Sequence, residues 1–139
     1  MTEEWKNIRG YTGFYQVSNF GKIKSVSRII KKNDGKILTL KERVLRQSLN
    51  TKGYPYINLC RNCICISKTI HIIVARAFVS NPKRKPQVNH KDGNKLNNND
   101  WNLEWNTNKE NSIHAIKNKL KIRSKKGTFK KITKWNNLS

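Results

Sequence analysis

The residues best suited to chemistry lie in one stretch, residues 86–115, which reads PQVNHKDGNKLNNNDWNLEWNTNKENSIHA. His90 is the candidate general base there, because imidazole gains and loses a proton near working pH. Asn89 stands beside it, and Asn102 and Asn111 follow. These polar side chains can meet only if the segment folds back on itself. Local signals predict that it does. Gln87, Val88, Asn89 and His90 read as a short strand, and Asp92 and Gly93 as a turn. Residues 94–100 form a polar loop, with Asn97, Asn98 and Asn99 in a row, and Leu103, Glu104 and Trp105 form a second strand. Thr107 followed by Glu110 fits a capping box, in which each side chain satisfies a free backbone N–H at a helix start. Ile113, Ile116 and Leu120 then fall on one helical face, against which the strands should pack, and Asn111 lies off that face.

The residues Asn89 and His90, Asp92 to Asn94, Leu96 to Asn98, Asn102 to Trp105, and Glu110 with Asn111 resemble the HNH nuclease family, in its phage and intron homing-endonuclease branch. The spacing from His90 to Asn102 and on to Asn111 fits the family's three signature positions. A second resemblance lies upstream. Trp5, Tyr15, Val17, Ser18, Asn19 and Gly21 stand where a nuclease-associated modular DNA-binding motif has its signature. In such motifs the apolar positions hold a small sheet and the basic loops touch DNA.

Composition agrees. The chain has 139 residues and a formal net charge of +22, with 30 Lys and Arg against 8 Asp and Glu. That self-repulsion has no benefit for stability, and a polyanionic partner is its usual reason, nucleic acid first. No long apolar run or lipidation signal points to a membrane, and residues 1–10 lack the basic start and apolar core of a signal peptide. A cytoplasmic protein of a bacterial or phage-infected cell is therefore expected, not a secreted one. Its cysteines, Cys60, Cys63 and Cys65, are expected as free thiols acting as small hydrophobes. His71 could in principle complete a zinc set with them, but the paired spacing of such sites is missing and no zinc is expected.

The rest of the chain supplies the frame. Tyr15 to Val17 and Ile23 to Val26 alternate as half-buried strands, with turn chemistry from Ser18 to Gly21 between them. Residues 28–47 carry Arg28, Lys31, Lys32, Lys36, Lys41, Arg43 and Arg46 around a turn at Asn33, Asp34 and Gly35. They read as a basic hairpin able to lie in a DNA groove. Residues 53–67 read as a hairpin turning at Arg61 and Asn62. Residues 70–79, IHIIVARAFV, read as a buried helix whose Ile73, Val74, Ala77 and Phe78 face the core, with His71 structural or phosphate-contacting. Residues 81–86 are a basic linker. The stretch after Lys117 carries no acid and reads as a DNA-binding arm or the remnant of a longer tail, with Phe129, Ile132 and Trp135 able to seed a short helix.

The expected fold is α+β. A small antiparallel β DNA-binding region (residues 1–50) precedes a ββα-metal nuclease module (residues 51–120) and a basic C-terminal tail (residues 121–139). The resemblance implies a DNA endonuclease that hydrolyses phosphodiester bonds in double-stranded DNA with one divalent metal ion, Mg²⁺ or Mn²⁺, leaving a 5′-phosphate and a 3′-hydroxyl. It also implies His90 as base, Asn102 as the residue that orients the His90 ring through backbone or side-chain hydrogen bonds, and Asn89 and Asn111 as metal ligands. Two neutral amides are weak ligands for a hard cation, so DNA phosphate should complete the site, unless Asp92, Asp100 or Glu110 contributes a carboxylate. DNA contacts are expected from the basic hairpin residues, Lys95, Lys125 and Lys126. His114 is expected to face solvent. A monomer should nick one strand, and a dimer could cut both. The alternative is a non-catalytic nucleic-acid binder, which the basic charge and aromatics fit equally well. A pure binder has no reason to keep the Asn89, His90, Asn102 and Asn111 set at this spacing.

Overall fold

A computed structural model describes residues 1–117 in full, together with the backbone of residues 121–123 and 129–131. The expectations for Leu120, Lys125, Lys126, Ile132 and Trp135 lie outside these described residues.

Strands β1 (Trp5–Asn7), β2 (Tyr15–Ser18) and β3 (Ile23–Ser25) form an antiparallel meander. Tyr15 and Val17 turn inward on β2, as the alternation predicts. Next come β4 (Arg28–Lys31) and β5 (Ile37–Leu40), a separate two-stranded ribbon around Gly35, whose φ of +81° suits glycine. Ile29 and Ile37 are exposed, so the ribbon stands off the core. β6 (Arg43–Val44) then returns to pair with β3 and completes the four-stranded sheet.

β7 (Ser48–Leu49), β8 (Pro55–Arg61) and β9 (Ile64–Thr69) form a three-stranded sheet. Its hairpin turns at Asn62 and Cys63, both at positive φ, one residue later than expected. The register sets Cys60 opposite Cys65, and the two are joined by a disulfide; Cys63 is the exposed free thiol. The expectation of free thiols throughout is thus corrected: a tight hairpin makes neighbours of cysteines that local spacing had not paired.

Helix α1 (Ile70–Phe78) buries Ile70, Ile73 and Val74, and leaves Ala77 and Phe78 only partly covered. β10 (Gln87–His90), β11 (Leu103–Asn106) and α2 (Asn108–Lys117) follow, and the backbones of β12 (Lys121–Arg123) and β13 (Phe129–Lys131) pair antiparallel. Phe129 therefore sits in a strand, not at the start of a helix. No helix among the described residues is long and apolar enough to cross a membrane.

One hydrophobic core runs through these elements. Ile8 and Tyr11 of the loop between β1 and β2, with Tyr15, Val17 and Ile23 from the first sheet, pack with Ile57 and Leu59 of β8, with α1, and with Leu103 of β11. Leu59 is fully buried at its centre. Leu59→Ala should lower unfolding free energy by about 3 kcal/mol, the usual loss for a cavity in a tight core. A urea titration reads this as a drop in midpoint with unchanged slope.

Candidate active site

Strands β10 and β11 pair with Asn89 opposite Glu104 and His90 opposite Leu103. Val88, Trp105 and Leu103 lie on or against the core, and the Trp105 Nε1–H donates to the Val79 carbonyl at 3.1 Å, which ties the pair to the end of α1. Helix α2 approaches from the other side. Its start carries the predicted capping box: the Thr107 N–H donates to Glu110 at 2.8 Å, and the Glu110 N–H to Thr107 Oγ1 at 3.3 Å. Lys85 also donates to Glu110, and together these bonds pull the Glu110 carboxyl down to about 2.

The helix does not present the expected apolar face. Ile113 and Ile116 are exposed, whereas Asn111, His114 and Ala115 are half-buried. Asn111 meets Gln87, with its Nδ2 donating to Gln87 Oε1 at 3.1 Å. The polar side of the helix makes the contact in place of Ile113 and Ile116, because Gln87 and the cavity beside it offer hydrogen bonds.

That cavity is about 490 Å³ and is lined by Gln87, Asn89, His90, Asn111 and His114, with Lys52, Tyr54 and Lys95 at its side. His90 is 5% exposed. Burial lowers its pKa, against the opposing effects of the Asn98 bond and Asp92, so the ring is neutral and able to accept a proton.

The residue that meets the His90 ring is Asn98, with Oδ1 2.8 Å from Nε2. Asn102 makes no direct bond to the ring; it is buried and acts on the backbone that follows His90, its carbonyl accepting from the Lys91 N–H at 2.8 Å. Its Nδ2 donates to Asp92 Oδ1 at 3.0 Å and to the Asn97 carbonyl at 2.8 Å, and its Oδ1 accepts from the Asp92 N–H at 3.2 Å. The row of asparagines was legible in the sequence, but which member reaches His90 depends on how the loop folds over the strand.

His71 lies against the same site. Its ring is buried, 5.2 Å from the His90 ring and 4.9 Å from that of Tyr54, and its Nδ1 has no hydrogen-bond partner among the described residues. Burial first, and His90 second, lower its pKa from 6.5 to about 4. The unfolded chain therefore takes up a proton at His71 that the folded chain refuses until the lower pH. This contribution to stability is complete above pH 6.5 and is lost as the pH falls toward 4. Between pH 7.5 and 4.5 the wild type should lose about 2.5 kcal/mol more stability than His71→Asn, as measured by urea midpoints at the two pH values.

The remaining predicted residues divide as follows. Asn89 Nδ2 donates to Glu104 Oε1 at 3.2 Å. Asn89 and Asn111 thus both commit their amide nitrogens, which leaves the Oδ1 atoms as acceptors beside the cavity. That donor set fits a hard divalent cation, although amides bind one weakly. Among the described residues no group of three His, Cys, Asp or Glu side chains converges to hold a metal. Asp92 is held in its own loop by Asn97, Asn94 and Asn102, Asp100 accepts from the Trp101 N–H, and Glu110 pairs with Lys85; none lines the cavity. His114 does line it, with Nε2 3.0 Å from the Lys91 carbonyl, so it is not the solvent-facing residue expected.

Lys95 also lines this cavity. Its Nζ lies 4.6 Å over the Tyr54 ring and donates to the Lys52 carbonyl at 2.6 Å. Lys31, Lys32 and Lys36 are exposed along the β4–β5 ribbon, and Lys41, Arg43 and Arg46 line an open groove of about 870 Å³ between that ribbon and β8. Arg28 is different. Its guanidinium donates to the Phe14 and Val26 carbonyls at 3.4 and 3.3 Å and lies 5.1 Å from the Phe14 ring centre, so it anchors the base of the ribbon.

A buried neutral histidine at the end of a strand pair, amide oxygens on both sides of a cavity, and a basic ribbon define a nuclease-like site. Residues 3–60 match the NUMOD4 motif. The solved structure described as DNA binding and cleavage by the HNH homing endonuclease I-HmuI superposes with a TM-score of 0.67 at 30% identity, over 93% of this chain and 77% of that one. The chain belongs to the HNH homing endonuclease family. Its similarity to DNA endonuclease I-HmuI of Bacillus phage SP01 is 39% identity over 78% of this chain and 55% of that protein. An uncharacterized HNH endonuclease of Acanthamoeba polyphaga mimivirus is 41% identical over 87% of this chain. The chain spans 32% of that relative's length and about half of I-HmuI.

Proposed function

We propose that this chain is a metal-dependent endonuclease of double-stranded DNA, with His90 as the general base. The observation that carries the reading is the buried, neutral His90 ring opening onto the cavity that Asn89 and Asn111 share. His90 takes the proton of the attacking water. Asn89 and Asn111 hold one divalent ion, Mg²⁺ with Mn²⁺ as a substitute, which when bound neutralises phosphoryl charge and assists the departing 3′-oxygen. Asn102 keeps the loop closed, and Lys95 brings positive charge to the cavity wall. The products are a 5′-phosphate and a 3′-hydroxyl.

The chain is read as three parts. Residues 1–50 grip DNA through Lys31, Lys32, Lys36, Lys41, Arg43 and Arg46. Residues 51–120 form the ββα-metal module, and residues 121–139, with Lys125 and Lys126, add phosphate contacts. A monomer with one active site nicks one strand, in the cytoplasm of a bacterial or phage-infected cell.

The test is incubation of a supercoiled plasmid library carrying random inserts with Mg²⁺, Mn²⁺ or EDTA. Conversion to open circle only with metal supports the reading, and linear product would point to paired sites. Intact plasmid that is nevertheless shifted on a gel would replace it with the binding-protein reading.

A further inference from the structure

The signature turn of the N-terminal motif, residues 18–21, does not lie with the basic ribbon. It packs on the loop that carries Asn98. The Asp100 N–H donates to the Asn19 carbonyl at 2.8 Å, and Gly21 lies so close that a Cβ there would sit 3.0 Å from Asn98 Cβ and 3.2 Å from its carbonyl oxygen. Both Gly21 and Asn98 are buried.

The turn itself is firmly held. Ser18 Oγ accepts from the Phe20 and Lys22 N–H groups, and Gln47 Nε2 donates to the Gly21 carbonyl at 2.6 Å. The Asn19 side chain accepts from the Glu4 N–H at 2.9 Å and donates to the Thr2 carbonyl at 3.1 Å. Gly21 needs its φ of +82°, which other residues adopt only under strain. An amide oxygen can only accept, so Asn98 Oδ1 at 2.8 Å from His90 Nε2 calls for a proton on Nε2.

We infer that Asn98, braced by the turn at residues 18–21, is a positioning residue that holds His90 as the Nε2–H tautomer, with Nδ1 as its basic nitrogen. The N-terminal motif is then part of the catalytic platform, and its Asn19 and Gly21 serve a site far downstream in sequence instead of touching DNA. The catalytic consequence rests on the proposed function; the tautomer does not.

The experiment is a long-range ¹H–¹⁵N correlation spectrum of the histidine rings of the full chain at pH 8, with His90 assigned by its loss in His90→Gln. Wild type should show His90 protonated at Nε2. Protonation at Nδ1 overturns the inference without reference to any variant or to cleavage. Asn98→Asp, which keeps the acceptor, should retain the Nε2–H form. Asn98→Leu and Gly21→Ala should give mixed tautomers, with Gln47→Leu taking the place of Gly21→Ala if that variant does not fold. Unchanged His90 signals in Asn98→Leu and in the turn variant would remove the brace.

In the plasmid assay Asn98→Leu should cut roughly 10²-fold more slowly, within the range of a general base's contribution, at an unchanged DNA Kd. Asn98→Asp should recover most of the rate. Should wild type fail to cut at all, the proposed function falls and the spectra still decide the relay.

Discussion

His90→Ala should reduce single-turnover strand cleavage by roughly 10³-fold, in the middle of the range that a positioned general base contributes. DNA affinity should change little, because Lys31, Lys32 and Lys36 lie on the ribbon, away from the cavity. His90 is a buried ring at the cavity, its pKa lowered by burial, and it has a hydrogen-bond partner in Asn98. Removing the ring takes away the Asn98 Oδ1 bond and one of the two ring neighbours of His71, so a moderate loss of stability should accompany the variant. The rate is therefore to be measured well below the unfolding midpoint, with excess enzyme over supercoiled plasmid. A rate within tenfold of wild type would remove His90 from the mechanism and make His114, which lines the same cavity, the base to test next.

Asn111→Ala should have the second-largest effect. Loss of one of the two proposed amide ligands should slow cleavage by roughly 10²-fold to 10³-fold at limiting Mg²⁺, equivalent to the several kcal/mol that a well-held cation supplies. Part of the loss should be recovered by raising the metal concentration, because the remaining Asn89 and the DNA phosphate still attract the ion. Asn89→Asp should act in the opposite sense, since hard cations prefer a carboxylate to an amide oxygen. Titrating Mn²⁺ into DNA-free protein should show weak binding for wild type and tighter binding for Asn89→Asp. Equal cleavage by Asn111→Ala and wild type across the metal series would place the ion elsewhere. The contact of Asn111 with Gln87 provides a control: Gln87→Leu removes that bond and leaves the Asn111 oxygen in place, so it should slow cutting far less.

Several features were legible because their causes are local. The capping box at Thr107 and Glu110 formed as written, since both partners sit within one turn of helix. The strand at His90, the alternation of Tyr15 and Val17, and the hairpin ending near Asn62 likewise follow from neighbours in sequence. Arg28 matches the exposed lysines around it in type and position and lines the same groove as Lys41, Arg43 and Arg46; its bonds to the Phe14 and Val26 carbonyls, which no local pattern announces, set it apart. The pairing of Cys60 with Cys65 required the strand register, and the burial of His71 required α1 to lie against the loop.

By itself the sequence determined the kind of protein: a strongly basic chain with His90 at the end of a strand, asparagines after it, and a capped helix to follow, because charge, turns and caps act over a few residues. Only the tertiary structure decided which asparagine faces His90, which side of α2 meets the cavity, and that the turn at Gly21 supports the loop carrying Asn98. Those outcomes depend on close packing between segments far apart in the chain. A contact such as that of Gly21 with Asn98 leaves no periodic trace in either segment.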